Sequence, residues 1–169
     1  LPEIMVRPAS TYGEFREEDV EDVLYGTDAC DVLAIGPGLG RKQETQDFVC
    51  QVLEESEGPI IVDADALYAV GAKKFPLRSC GGQLILTPHV GEFARLTGKS
   101  ATEIEQHRID MAASYARENQ VILVLKGAPT VTAAPDGRIA VNSTGNPGMA
   151  SGGMGDTLTG IIAALCGQG

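Results

Sequence analysis

The residues best suited to chemistry lie in one stretch, Asn142–Gly160, which reads NSTGNPGMASGGMGDTLTG. It contains six glycines and leads into an apolar run of helical spacing formed by Leu158, Ile161, Ile162 and Leu165. A glycine-rich loop before a helix lets the backbone approach a ligand closely and aims unpaired N–H groups at one point. This arrangement favours a phosphate or a developing oxyanion.

Asp156 falls in the first turn of this predicted helix. A carboxylate beside an anion site repels phosphate, but it suits a base that takes the proton from a hydroxyl attacking phosphorus. The alternative is that Asp156 only caps the helix, because acidic residues are favoured in first turns. The six glycines around this aspartate favour the interpretation of Asp156 as a base over that of a helix cap. No Gly-Lys-Ser/Thr follows the glycines, so the segment is not a Walker phosphate loop.

A second glycine-rich segment, Gly36–Gly40 (GPGLG), follows the predicted strand Asp31–Ile35. The helix Gln43–Glu55 comes next, with Phe48, Val49, Val52 and Leu53 on one face. Strand, glycine turn and helix in this order form a ligand-binding edge in many α/β sheets. The segment is too short for the dinucleotide fingerprint, and a simple tight turn explains it equally well.

Two aspartates follow the predicted strand Pro59–Val62. Carboxylates at the carboxyl end of a parallel strand face the usual ligand crevice, where Asp63 and Asp65 could touch Mg²⁺ directly or through water. For Asp65 we favour the simpler interpretation, a cap of a helix that begins near Ala66. For Asp63, a metal role and a hydrogen bond to a neighbouring loop both remain open.

His89 and Glu92 lie where the predicted strand Gln83–Thr87 passes into a helix that begins near Gly91. His89 could hydrogen-bond a polar substrate, and Glu92 could orient a metal-bound water. A lone histidine is more often structural, but its place at the end of a strand favours a site.

Lys126 ends the apolar strand Val121–Leu125 and begins the segment Lys126–Thr130. A lysine there can reach a diphosphate, or it can extend its ammonium to solvent at the rim. The next residues predict a hairpin whose strands, Val131–Ala134 and Arg138–Val141, flank the turn Pro135-Asp136-Gly137. The second strand runs back to the glycine-rich stretch, so hairpin, loop and Lys126 converge on one crevice.

The remaining helices carry structural signals. Glu17–Tyr25 predicts a short acidic helix, and Thr102–Asn119 a longer one with a capping box between Thr102 and Glu105. His107 and Arg108 are expected to face solvent. An apolar stripe on the longer helix is expected to pack in the core, and consists of Ile104, Ile109, Met111, Ala112, Tyr115 and Ala116.

Composition narrows the class of protein. A chain of 169 residues fits a single domain, and a net charge of −10 argues against nucleic acid or an anionic membrane as a main partner. No apolar run of 18 residues or signal peptide is visible, which predicts a cytoplasmic protein. The four cysteines lack metal-ligand spacing and predict buried or incidental thiols. Leu1–Arg7 reads like the tail of a strand, so residues 1–169 are expected to form part of a longer domain.

Strands that alternate with helices, followed by a hairpin, predict a three-layer α/β/α fold with a mainly parallel sheet. Within this pattern, Gly152–Asp156 (GGMGD) resembles the Gly-x-Gly-Asp anion hole of ribokinase-like kinases. The longer string Asn146–Leu165 resembles the signature of the ADP-dependent NAD(P)H-hydrate dehydratases of that superfamily. Where the kinases have Asn-x-x-Glu, this chain has His89-x-x-Glu92 within Thr-Pro-His-x-Gly-Glu, as is typical of the dehydratases. The other matching blocks are PEIMV, IGPGLG, VDADAL, LTPHVGE and KGAPTVT.

The resemblance implies a ribokinase-like fold and the ADP-dependent repair of hydrated NADH or NADPH, giving NAD(P)H, AMP and phosphate. It implies ADP as co-substrate, Mg²⁺ as cofactor, self-association, and an epimerase that is fused or separate. The alternatives are a ribokinase-like kinase of a small alcohol and a nucleotide-binding module without turnover. The implied roles are Asp156 as the catalytic base; Lys126, Gly127, Ala128, Pro129, Thr130, Gly153 and Gly155 at the nucleotide; Gly38, Gly40, His89 and Asp156 at the substrate; and Glu92 and Asp63 at the metal.

Overall fold

The computed structural model describes residues 13–27 and 30–168. Within these ranges the chain forms six strands and seven helices. The strands are β1 Leu33–Ile35, β2 Ile60–Val62, β3 Leu84–Leu86, β4 Ile122–Leu125, β5 Thr130–Ala133 and β6 Ile139–Asn142. The helices are α1 Val20–Thr27, α2 Gln43–Glu55, α3 Ala64–Lys73, α4 Val90–Thr97, α5 Ala101–Gln106, α6 Arg108–Asn119 and α7 Met154–Cys166.

The strands form one sheet in the order β1-β2-β3-β4-β5-β6. The first four are parallel, and β4, β5 and β6 pair antiparallel, so the predicted parallel sheet and late hairpin are confirmed. Because each crossover steps in the same direction and such crossovers are right-handed, helices α2–α6 cover the same face. The core on that face joins strand residues such as Val62 and Leu123 to helix residues such as Phe48, Phe93 and Ala112.

Helix α7 packs on the opposite face, over β1 and β2. Its Thr159 is buried and bonds to Asp63 at the end of β2, while Gly167 lies beside Val32 just before β1. Helix α7 therefore runs antiparallel to β1 and β2. It lies on the face of the sheet opposite the main core, so the predicted three-layer α/β/α arrangement is confirmed.

The predicted helix Thr102–Asn119 is two helices. His107, with φ −125° and ψ 29°, ends α5 and begins α6. The first cap is also two residues earlier than predicted, because the hydroxyl of Ser100 accepts from the N–H of Glu103 at 3.1 Å. The break turns Arg108 inward and leaves Ile109 exposed, so the expected solvent-facing Arg108 and buried Ile109 were both wrong.

Several further predictions concern the amino-terminal residues, the cysteines and membrane-spanning helices. Leu1–Arg7 lies outside the described residues. The predicted helix Glu17–Tyr25 is a short 3₁₀ turn, Glu17–Asp19, followed by α1. All four cysteines are free thiols, and burial raises the pKa of Cys50 and of Cys80 to about 11, which keeps both unreactive. None of the helices in the described ranges is long and apolar enough to span a membrane.

Candidate active site

The predicted site residues meet at one edge of the sheet. Strands β1 to β4 are parallel, so their carboxyl ends lie side by side, and the residues that follow each strand come together there. The pairing of β3 and β4 continues beyond the strands through a parallel bridge between His89 and Lys126, where the N–H of Lys126 donates to Pro88 O at 2.8 Å. Segments far apart in sequence are thereby fixed as neighbours.

The centre of this edge is a group of three polar side chains, Asp63, Lys126 and Thr159, here called the Asp63 cluster. Lys126 Nζ donates to Asp63 Oδ1 at 2.9 Å, and Thr159 Oγ1 donates to Asp63 Oδ2 at 3.1 Å. The Asp63 side chain is only 3% exposed. Burial raises its pKa, but the hydrogen bond and charge of Lys126 and a hydrogen bond from Thr87 outweigh burial, and the pKa is lowered. The cluster therefore ties β2, β4 and α7 together through an ionised carboxylate.

The amino-terminal end of α7 lies directly against this cluster. A Cβ placed on Gly155 would lie 3.6 Å from Asp63 Oδ2 and 3.8 Å from Lys126 Nζ. The helix begins after Gly153, whose φ of 83° suits glycine, and its first i to i−4 bond is donated by the N–H of Thr157 to Gly153 O at 2.9 Å. The N–H groups of Gly155 and Asp156 precede that bond, so they are open to a ligand beside the Lys126 ammonium. The chemistry of this end suits an anion.

Asp156 is exposed and lies in the first turn of α7, as predicted. It follows Gly155 directly, so its carboxylate begins at the edge of the anion site. That placement is compatible with a base next to a phosphoryl group, and its catalytic role stays a prediction.

His89 and Glu92 form a reciprocal cap at the start of α4. His89 Nδ1 accepts from the N–H of Gly91 at 3.0 Å and of Glu92 at 3.3 Å, while Glu92 Oε2 accepts from the N–H of His89 at 2.8 Å. Because Nδ1 acts as an acceptor, this network assigns the proton to Nε2. The His89 side chain is 61% exposed, and its Nε2 lies 3.5 Å from Glu92 Oε1, so both ring nitrogens are near groups of the cap.

Glu92 and Asp63 do not form a complete metal site. Both Asp63 oxygens already accept hydrogen bonds, and the Lys126 ammonium also approaches Glu92 Oε2 to 3.9 Å. The part of the chain that the structure describes contains no group of three His, Cys, Asp or Glu side chains able to hold an ion. Glu92 is engaged as well, because its Oε2 accepts from the N–H of His89 at 2.8 Å and its Oε1 lies 3.5 Å from His89 Nε2. The metal roles of both residues stay predictions.

The Gly36–Gly40 segment is held by the two aspartates that follow β2. A Cβ on Gly36 would lie 1.8 Å from the Asp63 carbonyl oxygen, so only glycine fits. The Gly40 N–H donates to Asp65 Oδ2 at 3.0 Å and is thus already in use. The predicted cap by Asp65 is wrong: α3 begins at Ala64, and Asp65 instead holds the loop through Gly40 and Arg41. Gly38, at φ 73°, is exposed at the tip, and its substrate role stays a prediction.

The Lys126–Thr130 segment rests on Arg108, which sequence reasoning missed. Arg108 Nη1 donates to the carbonyls of Leu125 and Lys126 at 3.2 and 3.3 Å, and Glu105 holds the guanidinium through both carboxylate oxygens. A Cβ on Gly127 would lie 2.4 Å from Arg108 Nη2. Thr130 Oγ1 closes the segment by donating to Gly127 O at 3.0 Å. The available signal was the spacing of Glu105 and Arg108, which places opposite charges one helical turn apart.

Ala128 and Pro129 are joined by a cis peptide bond, and both are exposed with Gly127. These residues lie at the same edge as Gly153 and Gly155, so the predicted nucleotide residues are brought together. Thr159, the buried partner of Asp63, was not predicted. Its only signal was a threonine within the apolar run of α7.

Comparison with known proteins shows the family of this chain. A family model described as NAD(P)H-hydrate dehydratase matches residues 1–169. The chain belongs to this family. It is 49% identical over 165 residues to the bifunctional NAD(P)H-hydrate repair enzyme Nnr of Moorella thermoacetica, covering 98% of this chain and 31% of that protein. It is 44% identical over 133 residues to the ADP-dependent (S)-NAD(P)H-hydrate dehydratase of Bacillus subtilis, covering 79% of this chain and 46% of that protein.

Similar solved structures support the fold. The Bacillus subtilis ADP/ATP-dependent enzyme, co-crystallized with ATP/Mg²⁺ and soaked with CoA, matches with a TM-score of 0.70 and 41% identity over 81% of this chain and 48% of that one. A ribokinase-like protein of Enterococcus faecalis matches with a TM-score of 0.75 and 30% identity over 90% of this chain and 52% of that one. The predicted ribokinase-like fold and family are confirmed. The chain spans about a third to a half of the length of these relatives.

Proposed function

We propose that this chain forms part of an ADP-dependent NAD(P)H-hydrate dehydratase, a lyase that converts hydrated NADH or NADPH and ADP into NAD(P)H, AMP and phosphate. The observation that carries the proposal is the junction of Gly155 with Lys126 and Asp63. It supports an anion site made of open N–H groups and a lysine, with the Asp156 carboxylate next to it. Family membership supplies the substrate class.

The first step is transfer of a phosphoryl group. Asp156 takes the proton from the hydroxyl on the hydrated nicotinamide ring, and that oxygen attacks the β-phosphate of ADP. The bond between the β-phosphorus and its bridging oxygen breaks, and AMP leaves. The N–H groups at Gly155 and Asp156 and the Lys126 ammonium stabilise the charge that develops on the transferred phosphoryl oxygens.

The second step is elimination. Phosphate leaves with the former hydroxyl oxygen, the ring loses a proton, and the ring double bond is restored. Water added in the hydrate thus departs within the phosphate, so no water is needed to balance the reaction. His89 is suited to orient the substrate, because its cap holds the ring in place while most of its side chain stays exposed.

The nucleotide lies along Lys126–Thr130. This segment is exposed at its middle residues and supported from below by Arg108, which supports its use as a rigid binding surface. Mg²⁺ would supply charge neutralisation during transfer, and Glu92 is the residue that would hold it. Lys126 is available to turn from Asp63 toward a phosphate, since it is already at the edge of the cluster.

We also propose a functional partner, an assembly state and a location for the whole protein. The bifunctional repair enzymes among them support an epimerase, fused or separate, as a functional partner. Self-association and a cytoplasmic location complete the proposal.

The test is to supply hydrated NADH, ADP and Mg²⁺ and to follow the absorbance of reduced nicotinamide together with AMP and phosphate. We expect the three products in equal amounts, and a loss of roughly 10² to 10⁴ in kcat for Asp156→Asn. Asp136→Asn, an exposed carboxylate on the hairpin turn, is the matched control and should not change kcat.

Other outcomes would favour the other functions. Turnover by Asp156→Asn at the wild-type rate would remove the base from the mechanism. AMP formed from a small alcohol and ADP, but not from the hydrate, would favour a kinase. Binding of ADP without any product would leave a nucleotide-binding module.

A further inference from the structure

Arg41 directly follows the Gly36–Gly40 segment and is held in place from two sides. Its Nε donates to Asp65 Oδ1 at 2.7 Å, and its guanidinium carbon lies 4.8 Å from the centroid of the Tyr68 ring. The guanidinium of Arg95 lies 5.0 Å from the centroid of the same ring. A surface arginine usually samples many rotamers, whereas this one has its plane and its direction constrained.

The Arg41 guanidinium is held in position, but it keeps N–H donors that a ligand can use. Asp65 takes the Nε–H, an arginine has four further N–H donors, and the Arg41 side chain is 57% exposed. The pKa of Arg41 is raised, first by the hydrogen bond and charge of Asp65 and to a lesser extent by Tyr68 and Glu92. Because Asp65 lies in the first turn of α3, just after β2, its hydrogen bond places the guanidinium at the carboxyl edge of the sheet.

The charge of the crevice makes this arginine distinctive. Asp63, Asp65, Glu92 and Asp156 bring four carboxylates to the edge of the sheet, within a chain whose net charge is −10. A dinucleotide with several phosphates is repelled by such a surface unless a cation meets it. Lys126 stands beside the anion site of α7, whereas Arg41 is a cation beside the Gly36–Gly40 segment, which is the predicted substrate side.

We propose that Arg41 is a specificity residue that binds a phosphate of the hydrated dinucleotide, with Asp65 and Tyr68 holding the guanidinium in position. This inference rests on the proposed function. The planar fork of arginine matches two phosphate oxygens, which a lysine cannot do. Two phosphate sources share this chemistry: the diphosphate present in both dinucleotides, and the 2′-phosphate present only in the NADPH form.

Lys42 offers a matched control on the adjacent position. It carries the same charge, is 67% exposed, and pairs with Glu14 rather than with a residue of the crevice. Arg41→Met and Lys42→Met each remove one positive charge and keep an unbranched side chain. A general loss of electrostatic attraction affects both variants equally, whereas a specific contact affects only the first.

The test measures binding of hydrated NADPH and of hydrated NADH by calorimetry, without ADP, for the wild type, Arg41→Met, Arg41→Lys and Lys42→Met. We expect Arg41→Met to weaken binding about tenfold or more, as for loss of a charge-assisted pair, and Lys42→Met to bind as the wild type does. Arg41→Lys should fall between them. Weaker binding of both dinucleotides assigns the contact to the diphosphate, and weaker binding of hydrated NADPH alone assigns it to the 2′-phosphate.

A failure of the proposed role of Arg41 can be distinguished from a failure of the proposed function. Equal binding by Arg41→Met and wild type, or equal weakening in Arg41→Met and Lys42→Met, would overturn the role of Arg41 while leaving the proposed function intact. A wild-type protein that binds neither hydrated dinucleotide would overturn both. Binding that depends on Arg41, in a protein that releases no phosphate from ADP, would sustain the contact and reject the reaction.

Discussion

Two glycine-rich segments meet at the same edge of the sheet, and their backbones are used differently. The first, Gly36–Gly40, is bound to the protein: Gly36 packs on the Asp63 carbonyl, Leu39 N–H donates to Gly36 O, and Gly40 N–H donates to Asp65. The second, Gly152–Gly155, is exposed through most of its length and delivers the open N–H groups of α7. Asp63 touches both, through its carbonyl on one side and its carboxylate on the other.

The difference separates two uses of glycine that look alike in sequence. In the first segment, glycine permits close packing and a left-handed backbone, and donors are consumed in shaping the loop. In the second, glycine keeps side chains away from donors that a ligand needs. Under the proposed function, we expect side chains such as Arg41 and His89 to hold a substrate at the first segment, and the backbone to hold the nucleotide at the second.

The largest expected effect comes from adding one methyl group to the packed segment. Gly36→Ala places a Cβ 1.8 Å from a backbone oxygen at φ 131°, so the loop and β2 must separate. We expect a loss of about 3 kcal/mol or more in the free energy of unfolding, measured with urea. Gly152→Ala, whose Cβ would meet nothing within 4 Å, is the control and should change little. Similar losses in the two variants would show that the segments do not differ in this way.

The second largest expected effect tests Asp63, the residue that contacts both glycine-rich segments. Asp63→Asn removes the carboxylate that Lys126 and Thr159 share, and we expect a loss of about 2 kcal/mol at neutral pH. Because the pKa of Asp63 is lowered by folding, its contribution is present above the unfolded carboxyl pKa of about 4 and disappears as pH falls through the lower folded value. Thermal unfolding from pH 7 to pH 2 should show the wild type and the variant converging in acid.

Asp136→Asn is the control for that pH series. The pKa of Asp136 is also lowered, by the backbone and side chain of Arg138, but this pair is exposed on the hairpin turn. Its removal should leave the unfolding temperature nearly unchanged at every pH. A gap between wild type and Asp63→Asn that persists at pH 2 would mean that packing, and not the ion pair, accounts for the loss.

The smallest expected effect tests whether the second segment, Gly152–Gly155, binds phosphate through its backbone. Gly155→Ala puts a Cβ in ordinary contact with Asp63 and Lys126, at 3.6 and 3.8 Å, so the fold should tolerate it. The same methyl group covers the approach to the Lys126 ammonium, and we expect affinity for ADP to fall roughly tenfold, or about 1.4 kcal/mol. Gly160→Ala lies one turn further along α7 in open space and should leave affinity unchanged. Equal affinity in all three proteins would place the phosphate elsewhere.

The sequence predicted most of the frame, because strand length, turn residues and apolar spacing are local properties. The four strands and the residues that follow them were found in this way, as were the hairpin and the position of Asp156 in α7. What it did not predict depends on distant partners. The inward turn of Arg108 requires carbonyls on β4, and the role of Asp65 requires the loop after β1. Neither partner is visible in a local pattern, so a cap and a solvated face were the natural expectations.

The order of the elements along the chain has a consequence for how the protein is made. The six strands that the structure describes all precede α7, so a ribosome delivers Asp63 and Lys126 before the helix that completes the anion site. Until Thr159 reaches Asp63, the nascent chain presents the lysine and its carboxylate without the glycine N–H groups. Binding of a nucleotide by the ribosome-bound chain would thus report the docking of α7.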